Sequence, residues 1–269
     1  MTPKEYVHGY SERESTRLSD QAGTLKYLLH HDTIFPDGSV VLEAGCGTGA
    51  QSAIIAGQNP GCRFVSIDIS EQSLEQARER VHRAGLTNVE MLRADIFSLP
   101  FPESSFDHVF LCFVLEHLPE PSRALEAVKK VLKPGGTLTC IEGDHGSAFF
   151  HPESDDAMKA IRCLVHLQAM AGGDSLIGRR LFPLLNSAGF SDVRVSPRLV
   201  YADAGRPAMV EGFTRNTFAA MVEGVRDQAL EKGLIDAGTW ERGIAALYRA
   251  SEEDGVFCYT FFRASAIKP

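Results

Sequence analysis

The chain has 269 residues, of which 44% are hydrophobic and 23% charged, and its formal net charge is −8. This composition is typical of a globular domain and excludes a disordered or fibrous chain. The negative charge disfavours nucleic acids and anionic membrane surfaces as partners, because both attract basic faces. No segment reaches the ~20 apolar residues that cross a bilayer, and the first residues lack the apolar core of a signal peptide. We therefore expect a cytoplasmic protein with no membrane partner.

Cysteine and histidine usage gives no sign of a metal site. The six cysteines include no C-x-x-C pair, and the nine histidines show neither H-x-x-x-H nor H-E-x-x-H spacing. Zinc sites need such closely spaced ligands. We expect reduced, buried thiols and no bound metal.

The first half of the chain alternates short apolar runs with helical patterns. The predicted strands are 39–45, 63–69, 88–95, 106–115 and 136–144, and the predicted helices are 50–57, 70–84 and 121–132. Strands that alternate with helices form a parallel sheet covered by helices on both faces. The first half therefore predicts an α/β fold.

The second half carries a longer helical segment. Residues 153–170 and 176–188 have helical patterns, 192–203 and 255–266 are typical of strands, and about fifty helical residues separate those strands. A connection of that length is too long for a hairpin, so we expect a helical cap inserted at 204–252. The predicted organisation is an N-terminal helical lid over 1–36 and one domain over 37–269.

Three glycines follow the first predicted strand at alternate positions. Gly45, Gly47 and Gly49 lie in VVLEAGCGTGAQS, and glycine allows tight turns or close approach of a ligand to the backbone. In open α/β sheets, ligands bind at the carboxyl ends of strands. Two cofactor classes fit, because the glycines with Ala50 also match the dinucleotide pattern, with Asp68 as the ribose carboxylate.

Three neighbouring features favour a different cofactor. Glu43 precedes the first glycine by two residues, where an acid disfavours a pyrophosphate but suits an ammonium and a sulfonium. Asp95 follows the third strand in RADIFSLPF, where it can accept from an adenine amino group, and VLKPGG precedes the fifth strand. These features together favour a cofactor that carries an ammonium and a sulfonium over a dinucleotide.

The same motifs identify the family that this chain resembles. VLEAGCGTG, SIDIS, RADIFSLPFPESSFDHV, LEHL and VLKPGG fall in order over about residues 38 to 145. The set resembles the class I S-adenosylmethionine-dependent methyltransferases, in particular the small-molecule group that includes the ubiquinone and menaquinone biosynthesis enzymes. The resemblance implies a Rossmann-like seven-stranded sheet, mostly parallel, whose last strand is antiparallel.

The resemblance also implies a set of cofactor contacts. The glycines and Glu43 would surround the methionine part, carboxylates would hold ribose and adenine, and apolar side chains would border the adenine and the methionyl group. The implied cofactor residues are Glu43, Gly45, Gly47, Gly49, Asp68, Ile69, Asp95, Ile96, Cys112 and Phe113.

Several of these positions also have a purely structural interpretation. Asp68 could cap the next helix, although Ser70 already fills that role. Asp95 could close an Asx turn, and Gly47 or Gly49 could serve only the packing of helix on sheet.

Candidate catalytic residues lie in two places. Glu142 and His145, in EGDHGS at the predicted end of the fifth strand, would lie at the carboxyl edge of the sheet. We expect His145 to act as a base or to orient the acceptor, with a structural hydrogen bond as the alternative. Tyr10 lies in the N-terminal segment, which in the resembled family often folds over the cofactor.

The sequence therefore predicts an enzyme that transfers a methyl group from S-adenosylmethionine to a small-molecule acceptor by in-line displacement. The alternatives are an NAD-dependent oxidoreductase and a non-catalytic S-adenosylmethionine-binding module. An exposed apolar cap face would favour a homodimer. The acceptor atom and the pathway stay open.

Overall fold

The computed structural model describes the backbone of residues 12–269 and the side chains of residues 21–269. The seven strands are β1 (Val40–Ala44), β2 (Arg63–Asp68), β3 (Val89–Arg93), β4 (Phe106–Cys112), β5 (Leu132–His151), β6 (Ser191–Ala202) and β7 (Val256–Ile267). The α-helices are α1 (Glu12–His30), α2 (Ala50–Gln58), α3 (Glu71–Arg83), α4 (Pro121–Val131), α5 (Asp155–Met170), α6 (Leu181–Ser187), α7 (Pro207–Met209), α8 (Ala220–Glu223), α9 (Arg226–Glu231) and α10 (Ala237–Arg249). Two 3₁₀ turns cover Leu115–His117 and Ile177–Arg180, and a π-helix covers Val210–Ala219.

The strands form one sheet in the order β3-β2-β1-β4-β5-β7-β6. Strands β1 to β5 pair in parallel. The main chain of Lys268 bonds to Gly135 and Gly136, whereas Thr260 bonds to Ser147, so β7 runs antiparallel to β5. The predicted Rossmann-like sheet with an antiparallel last strand is confirmed.

Strand β5 is longer than the sequence predicts. We expected it to end at residue 144, but it continues to His151. In the sequence, Gly143 and Gly146 are typical of a turn. In the structure, Gly143 lies within the strand and leaves room for Tyr259, because a Cβ at Gly143 would lie 2.4 Å from the Tyr259 hydroxyl oxygen. Glu142 and His145 therefore lie within a strand and not at its end, which corrects the expected position.

The chain divides into two units, each with its own core. The glycine-loop unit comprises Lys26–Glu142, Ile177–Pro197 and Phe262–Pro269. Its core is made of apolar side chains from the parallel strands and from α4 and α6, among them Leu42, Val109 and Leu125.

The second unit, here the aromatic unit, comprises Gly143–Leu176, Arg198–Phe261 and the described residues before Lys26. Its fully buried side chains include Phe213, Phe218, Trp240, Phe257 and Tyr259. The expected helical segment 204–252 is helical but broken into short pieces, and it lies wholly in this unit. The division into lid, domain and cap inferred from the sequence stays a prediction.

Candidate cofactor and acceptor sites

The glycine loop joins β1 to α2 through a run of left-handed residues. Gly45, Gly47 and Gly49 have φ of 80°, 52° and 74°. The N–H groups of Gly45 and Cys46 both donate to the carbonyl of Ile67, at 2.8 and 2.9 Å, which ties the loop to the end of β2. Residues with side chains rarely adopt such angles, so the conformation requires glycine.

The three glycines meet different surroundings. A Cβ at Gly45 would lie 2.7 Å from a methyl carbon of Val114, and one at Gly49 would lie 2.8 Å from the Cα of Ala77 in α3. A Cβ at Gly47 would meet no atom within 4 Å. Gly45 and Gly49 therefore also serve close packing, whereas Gly47 leaves backbone open to a ligand.

Asp68, at the end of β2, organises the same loop. Its Oδ2 accepts the N–H of Gly47 at 2.8 Å, and its Oδ1 accepts the N–H of Ser70 at 2.9 Å. Ser70 caps α3, since its hydroxyl oxygen accepts from the N–H of Ser73 at 3.2 Å. Asp68 thus lies half-buried beside the open glycine, and its contact with a ribose stays a prediction.

Glu43 lies buried in β1. It is paired in register with Ser66 of β2, whose hydroxyl donates to Oε2 of Glu43 at 2.6 Å. Burial raises the pKa of Glu43 to about 7, against the opposing effect of the hydrogen bond from Ser66. The carboxyl group is therefore poised to change charge near neutral pH, and a cation beside it would favour the ionised form.

The predicted adenine contacts differ in exposure. Ile69 is 60% exposed, whereas Ile96 is buried. Asp95 is exposed, and its Oδ1 accepts the N–H of Phe97 at 2.9 Å, which is the Asx geometry considered above. One carboxylate oxygen can accept that bond while the other contacts a ligand, so the two interpretations of Asp95 do not compete.

A strained turn follows β4. Cys112 is buried, and Phe113 has φ of 59°, an outlier for a bulky residue. Glu142 supports the turn, because its Oε1 accepts from the N–H groups of Val114 and Leu115 at 3.1 and 2.8 Å. Strain of this kind occurs often at ligand sites.

Glu142 is fully buried, and its environment favours the neutral acid. Burial, followed by the neighbouring carboxyl group of Glu116, raises the pKa of Glu142 to about 8. Its other oxygen, Oε2, is buried without a hydrogen-bond partner. These contacts give Glu142 a structural role at the turn, and its expected catalytic role stays a prediction.

The remaining catalytic candidates lie apart in the chain. His145 is buried in the aromatic unit, and its Nδ1 lies 2.8 Å from the hydroxyl oxygen of Tyr259. Tyr10 lies outside the described residues. Among residues 21–269 no group of three or more His, Cys, Asp or Glu side chains could hold a metal ion. None of the described helices is long and apolar enough to cross a membrane.

Sequence reasoning missed two partners that matter here. Ser66 was recoverable, since it falls opposite Glu43 once β1 and β2 are aligned in parallel register. The pairing of Tyr259 with His145 spans 114 residues and carries no local signal.

Comparison with known proteins agrees with this geometry. Residues 42–140 match the family model described as a methyltransferase domain. This segment of the chain is similar to a methyltransferase domain. The family resemblance drawn from the motifs is thereby confirmed for this segment, which contains the glycine loop, Asp68 and the turn after β4.

The similarity to known proteins extends beyond residues 42–140. The demethylmenaquinone methyltransferase of Listeria welshimeri is 34% identical over 150 residues, which cover 52% of this chain and 64% of that protein. The chain therefore spans less than two thirds of the curated relative that it matches.

Two solved structures share the fold. Haemonchus contortus phosphoethanolamine N-methyltransferase 2, in complex with S-adenosyl-L-methionine, has a TM-score of 0.56 at 18% identity, covering 92% of this chain and 52% of that one. The [4+2]-cyclase SpnF has a TM-score of 0.57 at 21% identity, covering 91% and 80%. The methyltransferase fold thus carries proteins named for different reactions.

Proposed function

We propose that this protein is an S-adenosylmethionine-dependent methyltransferase that acts on a small-molecule acceptor. The observation that carries the proposal is the open backbone at Gly47, whose N–H donates to Asp68 at 2.8 Å in the loop that follows the strand of the buried Glu43. This arrangement, together with the matched methyltransferase domain, favours S-adenosylmethionine over a dinucleotide.

The residues present fit that cofactor. The side chain of Thr48, in the glycine loop, has a buried hydroxyl oxygen without a hydrogen-bond partner, and Gly47 leaves space where a Cβ would project. Glu43 would face the cationic methionine part, Asp68 would hold the ribose hydroxyls, and Asp95 would accept from the adenine. When bound, the cofactor supplies an activated methyl group on a sulfonium.

The chain's own contribution to catalysis is alignment of the acceptor and exclusion of water. Positioning of this kind can supply ~7–11 kcal/mol of a barrier. A base is needed only where the attacking atom arrives protonated. The catalytic roles of His145, Glu142 and Tyr10, a cytoplasmic location and a homodimer stay predictions from the sequence.

The proposal is tested by methyl transfer from S-adenosylmethionine labelled in its methyl group. Cell extract is separated into small-molecule, protein and nucleic-acid fractions, and each is incubated with the wild type and with Asp68→Asn. We expect label in the small-molecule fraction with the wild type and about tenfold less with the variant, since one ribose contact is weakened. Label in protein or nucleic acid alone would overturn the small-molecule assignment.

The two alternatives predict different results in the same material. An oxidoreductase would bind NADH and transfer no label. A non-catalytic module would bind S-adenosylmethionine and transfer none to any fraction.

A further inference from the structure

The turn after β4 packs against the start of the glycine loop. The Val114 side chain fills the space beside Gly45, because a Cβ at Gly45 would lie 2.7 Å from one Val114 methyl carbon and 3.0 Å from the other. Val114 is buried, and Gly45 has φ of 80°. The path of the glycine loop therefore depends on where the turn places Val114.

The turn itself is bonded to β5. The N–H of Phe113 donates to the carbonyl of Ile141 at 2.9 Å. Those of Val114 and Leu115 donate to Oε1 of Glu142 at 3.1 and 2.8 Å. Phe113 is left-handed and Val114 right-handed, with φ of 59° and −115°. Consecutive residues of opposite hand point their N–H groups to one side, a concave geometry that binds anionic oxygens, and the carboxyl group of Glu142 fills it here.

The glycine loop is thus supported from both neighbours of β1, which lies between β2 and β4 in the sheet. From the β2 side, the carbonyl of Ile67 and the carboxylate of Asp68 accept three N–H groups of the loop. From the β4 side, Val114 packs on Gly45. The first support is hydrogen-bonded directly, whereas the second depends on the bonds that Glu142 makes to the turn.

Glu142 is placed to hold the turn and not to meet a ligand. Its side chain is fully buried, and its Oε1 is occupied by the two backbone N–H groups. A catalytic group has to touch the reacting atoms or lie one water away from them. The contacts of Glu142 instead lead through the turn to the glycine loop.

We propose that Glu142 is a positioning residue for the cofactor: its bonds to the turn after β4 hold Val114 against Gly45, and Val114 keeps the glycine loop in the conformation that binds S-adenosylmethionine. The inference rests on the proposed function for the identity of the cofactor, but the effect of Glu142 on the loop does not. This role replaces the direct catalytic contact predicted for Glu142 from the sequence.

The first test measures the affinity for S-adenosylmethionine by calorimetry. Glu142→Ala removes the acceptor of both N–H groups and should weaken binding by at least about tenfold. Glu142→Gln keeps an oxygen for both bonds, so its affinity should stay within about threefold of the wild type. Equal affinity of Glu142→Ala and the wild type would overturn the proposal, and so would equal losses in the two variants.

Asp107→Ala is the matched control for the loss of a carboxyl group that holds backbone. Oδ2 of Asp107 accepts the N–H of Val40 at 2.9 Å, at the opposite end of β1 from the glycine loop. This variant should be less stable but should bind within about threefold of the wild type. A loss of affinity as large as in Glu142→Ala would show that binding follows overall stability, against the proposal.

The path through Val114 is tested with Val114→Ala and with the double variant that also carries Glu142→Ala. Val114→Ala shortens the side chain that packs on Gly45 and should weaken binding by at least about threefold. Since both substitutions act on one contact, the loss in the double variant should be smaller than the product of the single losses. A loss equal to that product would show that the two residues act independently and would refute the path.

Hydrogen exchange reads the loop without any ligand. Mass spectrometry of peptides that cover residues 42–52 should show exchange at least about tenfold faster in Glu142→Ala than in the wild type, and unchanged in Glu142→Gln. Peptides from β2 correct for a change in global stability. Unchanged exchange in Glu142→Ala would overturn the inference. If Glu142→Ala does not fold, Val114→Ala takes its place, and unchanged exchange and affinity in that variant would overturn the inference equally.

The outcomes also separate this inference from the proposed function. If the wild type does not bind S-adenosylmethionine, the proposed function fails, and the exchange result still decides whether Glu142 holds the loop. If the wild type and Glu142→Ala bind S-adenosylmethionine equally, the proposed function stands and this inference fails.

Discussion

At the scale of single residues, the glycine loop separates two uses of glycine that the sequence shows as one motif. All three glycines have positive φ, but Gly49 abuts the backbone of α3 and Gly47 abuts nothing. A substitution at Gly49 adds a collision to the conformational strain, whereas one at Gly47 adds strain alone. Stability and ligand binding should therefore respond differently at the two positions.

We expect Gly49→Ala to lower the free energy of unfolding by about 2–4 kcal/mol, the sum of strain and overpacking. Gly47→Ala should cost about 1–2 kcal/mol and yet weaken S-adenosylmethionine binding by at least about tenfold, since its methyl group occupies the open space. Denaturant unfolding and calorimetry measure the two quantities. Equal affinity of Gly47→Ala and the wild type would show that no ligand approaches this backbone.

Glu43 gives a prediction for the dependence of cofactor binding on pH. With a pKa of about 7 in the free protein, its carboxyl group is mainly neutral below that value and ionised above it. If the ionised form binds the cationic cofactor, lowering the pH from about 8 to about 6 weakens binding by about tenfold.

The control for that prediction is Glu43→Gln, which has a similar shape and no charge. Its affinity should be lower than that of the wild type at about pH 8 and nearly constant over the range. A wild-type affinity that does not change with pH would show that Glu43 does not interact with the charged groups of the cofactor.

At the scale of elements, the turn after β4 is held by a side chain of the next strand. Glu142 accepts two backbone N–H groups there, and its pKa is raised to about 8, mainly by burial. An acid whose pKa is raised in the folded state stabilises the fold below its unfolded pKa, and this contribution is lost as the pH rises through the folded value. The contribution of Glu142 therefore declines from about pH 4.5 to about pH 8.

Glu142→Gln should remove that decline while keeping an oxygen for the two N–H groups. Between about pH 6 and about pH 9 the wild type should lose at least about 1 kcal/mol more unfolding free energy than the variant. Glu142→Ala leaves the two N–H groups without an acceptor and should cost about 2–4 kcal/mol at either pH. Parallel pH profiles for the wild type and Glu142→Gln would contradict this account.

Within the aromatic unit, α5 and α10 approach each other at Gly243. A Cβ there would lie 2.5 Å from the carbonyl oxygen of Asp156. Gly243→Ala should therefore lower the unfolding free energy by about 1–3 kcal/mol, although alanine is the better helix former.

Gly238, in the same helix, is the matched control for Gly243. Its nearest neighbours would be ends of side chains at 3.3 and 3.4 Å, so Gly238→Ala should be neutral or stabilise by up to about 1 kcal/mol. Similar effects of the two substitutions would show that α5 and α10 do not pack tightly at Gly243.

At the scale of the whole molecule, the parallel half of the sheet was predictable because its signals are local. Strands β1, β2 and β4 are short, mainly apolar runs followed by a turn or a cap, such as Ser70 before α3, and alternation with helices specifies parallel pairing. The positions of Gly45, Gly47 and Asp68 follow from the same local pattern.

The features that escaped prediction depend on distant partners. The extension of β5 to His151 depends on β7, and Gly143 is small because of Tyr259, more than a hundred residues later. Glu142 accepts two backbone N–H groups from the turn after β4, which lies 27 residues earlier in the chain. No periodicity or motif in a single segment encodes such pairs.

The central claim is that the glycine loop binds S-adenosylmethionine. Calorimetric titration of the protein with S-adenosylmethionine, S-adenosylhomocysteine and NADH, repeated on Asp68→Ala, tests it most directly. We predict micromolar binding of the first two ligands alone, and its loss in the variant. Binding of NADH instead, or of none of the three, would contradict the account. The first result would show that the glycines bind a dinucleotide, and the second that they serve only the turn.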